Sequence, residues 1–78
     1  MTASELTHVE ARERWGLPDD QIGSVNDPRT HEEYGVRWNE KWIYRLPTGA
    51  KRLVYWHRYD CRGVLLESPD GSVRKDSL

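Results

Sequence analysis

Apolar and polar residues alternate along the second half of the chain, beginning at Val36. Over residues 36–46 the even positions carry most of the apolar side chains and the odd positions most of the polar ones, with Glu40 and Ile43 as exceptions. A period of two is typical of a β-strand with one buried face. A tight turn at residues 39–41 would make this segment a hairpin and keep the same parity. The alternation therefore predicts the same two faces for one strand or for two.

Turn-forming residues divide the rest of this half. The predicted turns lie at 47–50, 60–63 and 68–71. The strands between and after them lie at 51–59, 64–67 and 72–74, and the first of these is rich in aromatic and branched residues. Together these signals predict an antiparallel β-meander of three to five strands over residues 36–75.

The first thirty-five residues predict helix and loop. Ser4 is a reasonable N-cap for a helix over about residues 5–15, which Gly16 would end. Residues 30–35 have the spacing of a capping box followed by glycine, and predict a second short helix. The predicted fold class is α+β, with one or two short N-terminal helices and then the meander, in a single domain over 1–78.

Pairing across the 47–50 turn assigns the faces of the meander. If Leu46 lies opposite Lys51, then Trp42 lies opposite Tyr55. One face then forms the core and carries Trp38, Trp42, Tyr44, Leu46, Leu53, Tyr55 and Tyr59. The other face carries the predicted binding residues, with Ile43 and Val54 among them: Arg37, Lys41, Arg45, Arg52, Trp56 and Arg58.

Charge is distributed unevenly along the chain, although the net charge is only −1. Residues 1–35 hold eight acids and three bases, a net charge of −5, whereas residues 36–62 hold seven bases and two acids, a net charge of +5. In the predicted register Arg45 and Arg52 face each other and repel. Negative charge could come from the acidic N-terminal segment folded over this face, or from an external partner.

Composition bears on the compartment of the protein and on contact with a membrane. One cysteine, Cys61, excludes an internal disulfide framework and favours the reducing cytoplasm. The N-terminus lacks the pattern of a signal peptide, and no apolar run approaches the roughly 20 residues that cross a bilayer. The sequence therefore predicts a cytoplasmic protein with no membrane partner.

Candidate chemistry is sparse. Zinc sites in small domains use close pairs of Cys or His, and this chain has one Cys and no such pairing. His57 and Cys61 are four residues apart across a strand end, and Glu32 and Glu33 would diverge on a helix. No glycine-rich phosphate loop is present. We expect no catalytic residue, metal or cofactor.

The remaining hypothesis is a non-enzymatic binding module. Basic residues around an exposed Trp56 suit single-stranded nucleic acid, because bases stack on the ring and phosphates meet the cations. The alternative is a protein-interaction module, or a small inhibitor of a larger protein, that docks through the same patch or through the acidic N-terminal part. A homo-oligomer formed through an open sheet edge is a further possibility. The exposure of Trp56 separates an open face from a covered one.

Overall fold

One helix and seven strands make up residues 6–76, the part of the chain that this computed structural model describes. The elements are α1 (His8–Trp15), β1 (Asp20–Gly23), β2 (His31–Glu33), β3 (Val36–Trp38), β4 (Glu40–Arg45), β5 (Lys51–His57), β6 (Asp60–Glu67) and β7 (Val73–Lys75). Five strands form an antiparallel sheet in the order β1-β4-β5-β6-β7, and β2 pairs with β3 in a separate antiparallel sheet. The α+β class and the antiparallel sheet are confirmed, and the strands are more numerous than predicted.

The helix begins later than predicted because its cap is Thr7. The backbone N–H of Glu10 donates to the Thr7 hydroxyl (3.1 Å), and the backbone N–H of Thr7 donates to the Glu10 carboxylate (3.2 Å). This reciprocal capping box satisfies two of the N–H groups that a helix start leaves unpaired. Gly16, with a φ of 79°, ends the helix. Ser4, the predicted cap, lies outside the described residues.

The predicted second helix over residues 30–35 is wrong, because this segment belongs to the β2–β3 hairpin. His31 pairs with Trp38 and Glu33 pairs with Val36 across a turn formed by Tyr34 and Gly35. The two turn residues have φ values of 54° and 78°, the geometry of a two-residue hairpin turn whose twist matches the strands. The hairpin places Trp38 in the core, and this tertiary contact outweighs the local helix signal. A capping pattern cannot show such a contact.

Strand β5 lies at the centre of the large sheet and is covered on both sides. Helix α1 supplies Ala11 and Trp15 to one side, where they pack with Leu6 against a cluster on the sheet: Trp42, Tyr44, Val54, Trp56 and Val64. The β2–β3 hairpin covers the other side, where Trp38 and Val36 join Ile43, Leu53, Tyr55, Leu65 and Val73. Because both faces are covered, residues 53–56 are all buried in succession.

The predicted register across the β4–β5 loop is wrong by one residue. Arg45, not Leu46, pairs with Lys51, and residues 46–50 form the loop. Leu46 N–H donates to the Ala50 carbonyl (2.9 Å), and Gly49 N–H donates to the Leu46 carbonyl (3.0 Å). A slip of one residue exchanges the faces of one strand relative to the other. Trp42 therefore shares its face with Val54, not with Tyr55.

Asn39 forms the corner between β3 and β4 and is completely buried. Its side-chain N–H₂ donates to the carbonyls of Val25 (3.1 Å) and Asp27 (3.2 Å), and its Oδ1 accepts from the backbone N–H of Arg58 (3.2 Å). Its own backbone N–H donates to the Trp56 carbonyl (2.9 Å). One residue thus joins the β1–β2 loop, the β3–β4 corner and the β5–β6 turn.

Glu40 is a second buried polar group, at the start of β4. Its carboxylate accepts from Nε1 of Trp42 (2.8 Å) and Nε2 of Gln21 (2.8 Å), and lies 2.9 Å from Nε2 of His8. These partners come from β4, β1 and α1, so the carboxylate ties the helix to the sheet. Three charge-assisted hydrogen bonds offset the cost of removing the charge from water.

Two glycines, one at the Asn39 corner and one away from it, differ in the room that they leave for a side chain. Gly23 has a φ of 74°, and a Cβ there would collide with the carbonyl of Asn39, whereas a Cβ at Gly63 would meet Val36 at 3.6 Å, an ordinary contact. We expect Gly23→Ala to lower the free energy of unfolding by about 2 kcal/mol or more. The matched Gly63→Ala variant should leave it unchanged or raise it by about 0.4–1 kcal/mol. Urea unfolding followed by tryptophan fluorescence measures both, and equal losses in the two variants would contradict the corner geometry.

Candidate interaction site

Trp56, the centre of the predicted basic and aromatic face, is fully buried. The imidazole of His8 in α1 stacks on its indole at a centroid distance of 3.9 Å, and the Trp42 ring lies at 5.1 Å. Of the two alternatives that the sequence left open for this face, Trp56 shows the covered one. The physical reason is the acidic N-terminal segment, which covers this face and places Leu6 and Ala11 in the same cluster.

Three of the predicted cations form ion pairs with the chain's own carboxylates. Arg45 donates to Asp20 (2.6 Å), Lys41 donates to Glu33 (2.8 Å), and Arg52 donates to Asp76 (2.9 Å). The guanidinium of Arg52 also lies 4.8 Å from the centre of the Trp15 ring. The negative charge that the sequence required is therefore largely internal.

The two remaining cations, Arg37 and Arg58, are exposed and make no ion pair within residues 6–76. Arg37 lies on β3 opposite Glu32, and Arg58 forms the β5–β6 turn with Tyr59. The six predicted residues do not share one face, since Lys41 and Arg45 lie on the side opposite Arg52 and Trp56. Whether any of them contacts a partner stays a prediction.

Fluorescence quenching tests this burial directly. Trp38, Trp42 and Trp56 are each at most 3% exposed, whereas Trp15 is only partly buried. We expect Trp15→Phe to remove most of the emission that acrylamide can quench, and to leave a blue-shifted spectrum that resists quenching until the protein unfolds. Quenching of the folded variant to the level of its urea-unfolded form would show that the sheet face is open.

Glu33 is the carboxylate that pairs with Lys41, and its side chain is only partly buried. Its carboxylate accepts from Nζ of Lys41 (2.8 Å) and from the hydroxyl of Tyr55 (3.0 Å). Burial acts to raise the pKa of Glu33, but the hydrogen bonds from Lys41 and Tyr55 outweigh it and leave the pKa below the ordinary value of 4.5. Burial, followed by the hydrogen bond to Glu33, raises the pKa of Tyr55 far above its ordinary value.

The lowered pKa of Glu33 fixes the sign of a pH effect. A carboxyl whose pKa is lower in the folded state stabilises the fold fully above its unfolded pKa, and that stabilisation is lost as the pH falls through the folded value. We expect Glu33→Gln to reduce the free energy of unfolding at pH 7, and the difference from the unaltered chain to shrink below pH 4.5. The control is Glu32→Gln at the neighbouring exposed position. A constant difference from pH 7 to pH 3 would contradict the assignment.

The sequence left an open sheet edge as a possibility but did not place it here: within the described residues, part of the edge of β6 has no neighbouring strand. Strand β7 pairs only with Leu65–Glu67, although β6 begins at Asp60. The N–H of Asp76 donates to the carbonyl of Val64 (2.9 Å), and within the described chain no strand continues beside residues 60–63. Unpaired N–H and C=O groups along an edge are a template for another strand.

A cavity of about 340 Å³ lies along this edge. Its wall is formed by Val36 on one side, by the β6 backbone, and by the end of β7: Val36, Cys61, Arg62, Gly63, Val64, Leu65, Lys75 and Asp76. We call this cavity the β6 groove. Arg62 is the extra residue of a β-bulge, since Tyr55 pairs with Gly63 and Trp56 pairs with Cys61. Bulges redirect a side chain away from the regular alternation.

The charge of the β6 groove is positive. Asp76 is engaged by Arg52, whereas Arg62 and Lys75 make no ion pair with any residue between 6 and 76. Burial raises the pKa of the Cys61 thiol, against a smaller lowering by the hydrogen bond with the Gly63 backbone. A raised pKa keeps the sulfur as a thiol, the opposite of what a nucleophilic cysteine needs.

Sequence reasoning missed the groove because it placed a turn at 60–63. The turn consists of Arg58 and Tyr59, both with positive φ (51° and 77°), and β6 begins immediately afterwards. Neither residue gives the Asn-Gly or Asp-Gly signal that marks such turns. Because the turn ends at Tyr59, β6 begins at Asp60 and is longer than β7. Part of its edge is therefore unpaired.

Comparisons add no further information about the site. No protein-family model, no curated protein and no solved structure matches the chain. Within residues 6–76, no group of three His, Cys, Asp or Glu side chains is placed to hold a metal ion. The helix α1 is the one helix there, and it is too short to cross a bilayer.

Proposed function

We propose that this chain is a non-enzymatic protein-interaction module that binds an extended segment of a partner protein along the β6 groove. The observation that carries the proposal is the unpaired edge of β6 beside a cavity with two cations that have no ion pair within the described residues. An added strand gains main-chain hydrogen bonds from such an edge, and the adjacent pocket selects its side chains.

Single-stranded nucleic acid fits the surface less well. Binding of this kind requires an exposed aromatic ring on which bases stack, and the candidate ring, Trp56, is covered by α1. Arg45, Lys41 and Arg52 are paired with acids of the chain itself. Of the five predicted cations, a phosphate backbone would therefore be left with Arg37 and Arg58, which lie on different elements.

Docking through the acidic N-terminal part has less support as well. Asp19 accepts from the backbone N–H of Arg45 (2.7 Å), and Asp20 accepts from its guanidinium (2.6 Å). Glu33 is engaged by Lys41 and Tyr55. Much of the negative charge of this segment is thus used inside the fold, whereas the cations of the β6 groove are not.

The proposal includes a cytoplasmic location and no catalytic role. A single cysteine suits a reducing compartment. The thiol in the groove is kept protonated by burial, so the groove offers a binding surface and no activated nucleophile.

Two charge-reversed double variants test the proposal. Arg62→Glu with Lys75→Glu alters the groove, and Arg14→Glu with Arg74→Glu makes the same change in net charge at exposed sites outside it. We expect affinity capture from cell extract to recover a stoichiometric partner with the unaltered chain and with the control, and at least about tenfold less with the groove variant. Circular dichroism confirms that both variants fold.

The same comparison can overturn the proposal. Equal recovery by both double variants would place the contact elsewhere, and failure of the unaltered chain to retain any protein would remove the interaction role. A labelled single-stranded oligonucleotide supplies the competing test. Tight binding that weakens steeply with salt, in the absence of any protein partner, would return the nucleic-acid hypothesis to first place.

A further inference from the structure

The β6 groove has a chemical preference that can be derived from its lining. It presents two cations, Arg62 and Lys75, and the one carboxylate among its lining residues, Asp76, is already held by Arg52 at 2.9 Å. We infer that the groove selects an extended acidic peptide, in which a Glu or Asp lies among small or branched apolar residues. This inference rests on the proposed function and specifies its partner.

The length of the unpaired edge sets how much of the partner it binds. Within the described chain, the contact between Asp76 and Val64 is the last backbone hydrogen bond on this side of β6. A strand that continues beside Asp60–Gly63 would cover four residues, about 14 Å at about 3.4 Å per residue. About four residues of partner backbone are therefore recognised in the extended conformation.

The apolar part of the preference comes from the wall opposite the edge. Val36 of β3 lies close to Gly63, whose position carries no side chain, and Leu65 continues the same face of β6. Alternate side chains of an added strand point to this side. A small or branched apolar side chain on this side would contact Val36 and Leu65.

The acidic part of the preference comes from two cations that line the cavity, Arg62 and Lys75. The guanidinium of Arg62 is planar and donates two parallel N–H bonds to a carboxylate, and the bulge directs this side chain out of the regular alternation. Lys75, on β7 opposite Leu65, adds a point charge on the side of Val36. Neither has a carboxylate partner among residues 6–76, so an incoming carboxylate displaces no existing ion pair.

Three fluorescein-labelled peptides test the inference by fluorescence polarisation with the full chain. Each has the sequence Thr-Val-X-Thr-X-Val-Thr, with X as Glu, Gln or Lys. At low ionic strength we expect the Glu peptide to bind about tenfold more tightly than the Gln peptide, and the Lys peptide to bind weakest. The double variant Arg62→Glu with Lys75→Glu should reverse this order, and the control Arg14→Glu with Arg74→Glu should keep it.

The outcomes separate this inference from the proposed function. Equal affinity for the Glu and Gln peptides overturns the acidic preference, while a partner protein still lost in the groove variant leaves the interaction role intact. If no peptide binds and capture of the partner is also insensitive to the groove, both fall. Analytical sedimentation tests self-association. If the chain associates with rising concentration and the groove variant does not, a second copy occupies the groove, and the inference of an acidic peptide is overturned.

Discussion

The side-chain amide of Asn39 links the parts of the chain that would otherwise separate at the corner between the two sheets. It bonds two carbonyls of the β1–β2 loop and one N–H of the β5–β6 turn, while its backbone N–H bonds β5. With Asn39 in place, the β2–β3 hairpin lies on one side of β5 and α1 on the other. Trp56 lies under α1, whereas the hairpin carries Glu33 and supplies Val36 to the β6 groove.

The sequence predicted the strand-rich half of the fold but not how its layers cover one another. The alternation over 36–46 correctly indicated β-structure, because side-chain parity is a local property. The register across residues 46–50 was wrong by one, since Pro47, Thr48 and Gly49 fit loops of four or five residues equally well. That single residue moved Trp56 onto the face with Trp42, where α1 covers it. The opposite charges of the two halves offered this cover as one of two alternatives, but the local alternation could not decide between them.

The sequence showed that the first part of the chain is acidic and the second part basic, but not which residues pair with each other. The acidic first part does supply counter-ions to the basic second part, through Asp20 with Arg45 and Glu33 with Lys41. The six predicted binding residues do not share one face, and whether any of them contacts a partner stays a prediction. The β6 groove was not predictable in the same way, because an unpaired edge is a property of two strands of unequal length and not of either strand alone.

Arg62 and Lys75 also bear on how the protein behaves at high concentration. Unprotected strand edges of identical molecules tend to pair with each other, and this is the first step of many ordered aggregates. When two copies bring their β6 edges together, four like charges meet in a confined space from which water is being removed. This repulsion disfavours pairing of the β6 edge with its own copy and so opposes fibre growth from this edge.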